Sequence, residues 1–204
     1  MKSVLISIQP KWCELIASGK KMVEVRKTRP KIDTPFKCYI YCTQGKDVLA
    51  ISRYSDNQAF LWNKSDVDRY NIDMVRNGKV IGEFVCDCIA NYEAELWDDE
   101  TFERIQEFFE PDDFAEYGEY EYKTIADNGD DFWKENMLCT SSCLTIEELR
   151  KYVGCGFATF YGWHISDLVI YDKPKELREF YTVCKTKPIT RPFQSWGYVY
   201  ETNT

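Results

Sequence analysis

One histidine, His164, stands among 204 residues. Nine cysteines are present, yet none falls in the C-x-x-C pairing of a zinc knuckle. Cys38 and Cys42, and Cys86 and Cys88, alternate as they would on strand faces, and Cys139 and Cys143 have helical spacing. Such thiols act as small buried hydrophobes, so no metal and no cofactor is expected. No stretch approaches the roughly 20 apolar residues of a membrane-spanning helix. Met1-Lys2-Ser3-Val4 leads straight into a strand-like run without the apolar centre of a signal peptide. The expectation is a soluble cytoplasmic protein with reduced thiols. Gly154-x-Gly156 lacks the further glycine and the strand-to-helix context of a nucleotide cradle. Internal repeats, low-complexity tracts and glycine-rich linkers are missing too, which favours one domain over 1–204.

What is present is ample for a packed core: 44% hydrophobic residues, 16% of the chain being aromatic. The net charge of -8 argues superficially against nucleic acid, but the charge is polarised. Met1 to Lys46 carries ten Lys/Arg against three Asp/Glu, a net of +7. Tyr92 to Glu135 carries seventeen acids and three bases, a net of -14. Lys173 to Arg191 has six bases and two acids, and extends the positive face if the two ends of the chain meet.

Val4-Leu5-Ile6-Ser7-Ile8 reads as a strand, and Pro10 opens an amphipathic helix, Lys11 to Ser18, with Trp12, Leu15 and Ile16 at i, i+3 and i+4. Gly19 supplies its cap. Phe36 to Cys42 alternates between Pro35 and Gln44-Gly45 as a strand. Asn77-Gly78 is a turn signal before a strand over Lys79 to Cys88. Arg53 to Asp73 reads as loop or short helix. An acidic insertion spans about 92–140; Asp98-Asp99-Glu100 followed by Phe102, Ile105 and Phe109 predicts a helix within it. Its aromatics Phe114, Tyr117, Tyr120 and Tyr122, interleaved with acids, suit a solubilising surface or contact with a basic protein partner. Thr145 with Glu148 has capping-box spacing for a helix that Gly154 ends. Gly156 to Trp163 and Ile165 to Tyr171 supply late strands, and Lys173-Pro174 marks the turn out.

The densest chemistry lies in Lys20-Lys21-Met22-Val23-Glu24-Val25-Arg26. Strand alternation sends Val23 and Val25 to one face and Glu24 and Arg26 to the other, near Lys21. Lysine offers a point charge, arginine a planar fork, and glutamate accepts from an exocyclic amine, so the trio suits a base edge with its phosphate. The same spacing equally lets Glu24 and Arg26 neutralise one another. Ser7 and Gln9, and Ser195 with Trp196 after Gln194, line the same cleft if the C-terminus returns to it. Trp12 and Trp196 serve either as stacking platforms or as core. His164 is either a general base or a partly buried structural residue.

Strand, helix, Gly19-Lys20-Lys21 and Glu24-Val25-Arg26, followed in order by Val80-Ile81-Gly82-Glu83-Phe84-Val85, the helix Thr145 to Tyr152, Trp163-His164-Ile165-Ser166-Asp167-Leu168 and Pro192-Phe193-Gln194-Ser195-Trp196, resemble the ASCH domain family (activating signal cointegrator homology). That family is similar in fold to the PUA domains of RNA-modifying proteins. The resemblance covers both ends of the chain and skips the middle. It implies an α+β protein: a PUA-like mixed or antiparallel β-barrel with flanking helices, here bearing the acidic, partly helical insertion. It also implies RNA or a modified nucleoside as ligand, for which Ser7, Gln9, Trp12, Lys20, Lys21, Glu24, Arg26, Ser195 and Trp196 are the candidate binding residues. If the protein is an enzyme, Lys21 and Glu24 are its catalytic candidates: Lys21 aligns with the lysine of the family's acetylcytidine amidohydrolases, and a ribonuclease, as some members are reported to be, would use Lys21 or Arg26 on the phosphate and Glu24 as base. The amidohydrolases have a threonine where this chain has Glu24.

Overall fold

The computed structural model describes residues 2–51, 59–63, 65–66, 75–96, 103–109, 121–126, 137–182, 184 and 187–201. In chain order the elements are β1 (Ser3–Ile8), α1 (Pro10–Ala17), β2 (Val23–Arg26), β3 (Phe36–Cys42), β4 (Asp47–Ile51), β5 (Ala59–Asn63), β6 (Val80–Cys86) and β7 (Ile89–Leu96). There follow β8 (Glu103–Phe109), β9 (Glu121–Ala126), α2 (Met137–Ser142), α3 (Ile146–Val153), β10 (Gly156–His164), β11 (Ser166–Lys175), a 3-10 turn at Leu177–Glu179, β12 (Phe180–Tyr181) and β13 (Trp196–Glu201). Contacts gather these into two units: Met1–Lys21 with Pro35–Cys86 and Ile165–Thr204, and Met22–Thr34 with Asp87–His164.

The first unit is built on a six-stranded sheet in the order β11-β6-β3-β1-β13-β12. β1 is aliphatic except for Ser3 and Ser7 and is buried along its whole length, which fits a central strand. It pairs parallel with β3 and antiparallel with β13, so the C-terminal strand does return to β1. Leu5, Tyr39, Tyr41, Val80, Leu177, Phe180, Ile189 and Val199 form one core, with the Tyr39 and Phe180 rings edge-on at 4.8 Å. Gly82 is required where β6 meets β11, because a Cβ there would lie 2.3 Å from the Val169 carbonyl oxygen.

The second unit is an antiparallel sheet, β2-β10-β7-β8-β9. Val25, Tyr92, Ala94, Ile105 and Phe160 from its strands pack with Leu138, Leu149 and Val153 from α2 and α3. The capping box closes as its spacing predicts: Glu148 N–H donates to Thr145 Oγ1 at 3.2 Å, and Thr145 N–H to Glu148 Oε2 at 3.1 Å.

The described residues form an α+β protein dominated by strands, with one mixed sheet, one antiparallel sheet and the β4–β5 pair. Three local expectations are corrected. The helix predicted around Ile105 is strand β8, because backbone ladders to β7 and β9 set its conformation and Ile105 enters the core from there. Within Arg53 to Asp73 the described residues include β5, paired with β4 as a hairpin. Lys173-Pro174 lies inside β11 rather than after it; β11 is a sheet edge with irregular register between Ile170 and Lys175, where a residue lacking N–H is tolerated. Phe114, Tyr117 and Tyr120 lie outside the described residues.

Candidate nucleic-acid interface

The turn after α1 sets the first cation. Gly19 adopts a left-handed φ of 72°, its N–H bonds to Ile16 O, and Lys20 N–H bonds to Leu15 O, both at 2.9 Å. This is a Schellman motif, and it accounts for a glycine here. Lys21 N–H also reaches Leu15 O at 2.9 Å. The Lys21 side chain is buried, with Nζ 5.1 Å from the Trp12 ring centroid, within cation–π range. Lys20 is exposed.

Of the other sequence candidates in this unit, Ser7 Oγ donates to Phe193 O at 2.7 Å, and Ser7 N–H to Ser195 O at 2.8 Å. Trp196 stands opposite Ile6 in the β1–β13 ladder, its ring edge-on to Tyr198 at 5.5 Å. Ser7 and Ser195 are thus brought together. Gln9 is not on β1 with Ser7; it is the exposed N-cap of α1.

Glu24 and Arg26 belong to the second unit. Both side chains are buried, and Arg26 Nη2 lies 2.8 Å from Glu24 Oε1. β2 is the edge of its sheet and pairs with β10, where Arg26 faces Tyr161 and Glu24 faces Trp163. Directly opposite residues share a sheet face, so the ion pair and the Tyr161 ring lie on one side. Arg26 also hydrogen-bonds the Tyr152 hydroxyl from α3, as does the Lys27 N–H. Burial raises the Tyr152 phenol above its ordinary 10.0; the Arg26 charge opposes that and Glu24 adds to it.

Beyond β2 the chain turns through Lys27-Thr28-Arg29-Pro30-Lys31-Ile32-Asp33. With Tyr161 these seven residues line an open hollow of about 490 Å³. Lys27, Arg29 and Lys31 are exposed, Pro30 is buried, and Tyr161 is half-buried. The Arg29 guanidinium lies 5.8 Å from the Tyr161 ring centroid, and Lys27 Nζ lies 5.6 Å from that of Tyr152. Sequence reasoning counted these cations within the N-terminal excess but did not single them out. Their alternation around Pro30 is a usable signal; Tyr161 has none, since only β2–β10 pairing brings it there.

His164 is exposed rather than partly buried, with Nδ1 2.7 Å from Asp87 Oδ1. All nine cysteines are free: Cys13, Cys38, Cys42 and Cys86 are buried, and Cys88, Cys155 and Cys184 are exposed. Among the described residues no group of three His, Cys, Asp or Glu is placed to hold a metal ion, and no helix is long and apolar enough to cross a membrane.

No protein-family model and no curated protein matches the chain. Among solved structures it is similar to ASCH from Zymomonas mobilis, at 16% identity and a TM-score of 0.48, over 96% of this chain and 86% of that one. It is also similar to two mutant forms of the same protein. One is 16% identical with a TM-score of 0.49, over 97% and 90% of the two chains; the other is 15% identical with a TM-score of 0.48, over 96% and 87%.

Proposed function

We propose that this chain is an ASCH-type domain that binds RNA or a modified nucleoside through the charged residues of β2. The observation that carries the reading is the Glu24–Arg26 pair, complementary charges screened from solvent on an edge strand that runs straight into exposed cations. A carboxylate that accepts from an exocyclic amine, beside a guanidinium fork, reads a base edge. Lys27, Arg29 and Lys31 supply the attraction to phosphate that is independent of sequence. Lys21 and Trp12, with Ser7, Gln9, Lys20, Ser195 and Trp196, belong to this reading as candidate ligand contacts carried over from the sequence. A hydrolytic version would use Lys21 and Glu24 as catalytic groups. A cytoplasmic location accords with this reading, and the acidic insertion is left as a surface for a basic protein.

The test is incubation with end-labelled single-stranded RNA at low and high salt. Retention of intact RNA, with affinity falling steeply as salt rises, is the expected result. Shortened RNA would establish hydrolysis instead, and salt-insensitive binding would point to a small uncharged nucleoside.

A further inference from the structure

The hollow beside β2 carries an inference that rests on the preceding reading and narrows its ligand. We propose that Lys27, Arg29, Lys31 and Tyr161 form a seat for the phosphodiester backbone and adjacent base of a single RNA strand, so that the ligand is a strand rather than a free nucleoside.

Three features of the hollow point this way. Its lining has three cations, Lys27, Arg29 and Lys31, against one carboxylate, Asp33. Its volume of about 490 Å³ falls within the roughly 300–1,000 Å³ of small-ligand pockets, and it is open, as a continuous strand needs. The Tyr161 ring lies among the cations with the Arg29 guanidinium above it. Aromatic faces and guanidinium planes are the two surfaces on which unpaired bases stack, while alternating cations follow the backbone. Pro30 biases Arg29 toward extended backbone. Tyr161 also faces Arg26 across the β2–β10 ladder. A base on the Tyr161 platform would therefore adjoin the Glu24–Arg26 pair on the same sheet face.

The experiment is fluorescence anisotropy with a labelled single-stranded oligoribonucleotide of about ten nucleotides, titrated over a range of salt. It compares wild type, the triple variant Lys27→Ala/Arg29→Ala/Lys31→Ala, Tyr161→Ala, Tyr161→Phe and Arg26→Lys, with circular dichroism confirming that each is folded. Each lost phosphate contact lowers the salt slope by about 0.7, so the triple variant should lose about 2 from it. Tyr161→Ala should weaken binding at least about fivefold while Tyr161→Phe keeps it, since stacking needs the ring and not the hydroxyl. If Arg26→Lys weakens binding while the triple and Tyr161 variants match wild type in affinity and slope, the phosphate seat is overturned and the β2 reading stands. If the loop variants weaken binding and Arg26→Lys does not, the seat stands and the β2 reading falls. Failure of the wild type to bind the RNA overturns the seat and confines the β2 reading to a free nucleoside.

Discussion

Arg26 Nη2 reaches Glu24 Oε1 at 2.8 Å along one edge strand, with only 9% and 8% of the two side chains exposed. Two charges so far withdrawn from water depend on each other. Removing either one takes the opposite charge from beside the other, and breaking a buried pair costs roughly 3–5 kcal/mol. Glu24→Ala and Arg26→Ala should each lose stability on that scale in urea denaturation, and the double variant should lose much less than their sum. Additive losses would mean that the pair is not coupled.

The Thr145–Glu148 capping box satisfies both N-terminal donors of α3 that it addresses. Thr145→Ala should lower stability by about 1 kcal/mol, within the range of roughly 0.5–2 for lost caps, and Thr145→Ser should preserve it. Thermal or urea unfolding checks both.

Tyr152 links α3 to Arg26, and burial raises its phenol above 10.0. Between that value and the higher folded-state pKa, the unfolded chain has released a proton that the folded protein keeps. The contribution is therefore complete below pH about 10 and is lost as pH rises through the folded pKa. Tyr152→Phe should flatten this alkaline decline relative to wild type, seen as a smaller shift of the urea midpoint between pH about 9 and 11. An unchanged decline would assign it to other groups.

The parts of the fold that were readable are those set by neighbours in sequence. The aliphatic run of β1, the Schellman turn at Gly19 and the Thr145–Glu148 box each depend on residues within about one helical turn. What was not readable is set by distant pairing. Ile105 fits a helical pattern with Phe102 and Phe109 through spacings of three and four, yet Ile105 and Phe109 alone also fit strand alternation, and pairing with β7 decides the matter. Pro174 reads as a terminator, yet an irregular edge strand accommodates it. The candidate site divides the same way. The Glu24–Arg26 pair follows from strand alternation, whereas Tyr161 and Tyr152 join it only through β10 and α3.

The central claim, that RNA is held at β2 and the residues flanking it, is tested most directly by photo-cross-linking single-stranded RNA to the intact protein and mapping the adducts by mass spectrometry. Adducts are expected on peptides containing Lys20 to Lys31 and on the one containing Tyr161, suppressed at high salt. Adducts confined to the other basic segment, Lys173 to Arg191, would contradict it.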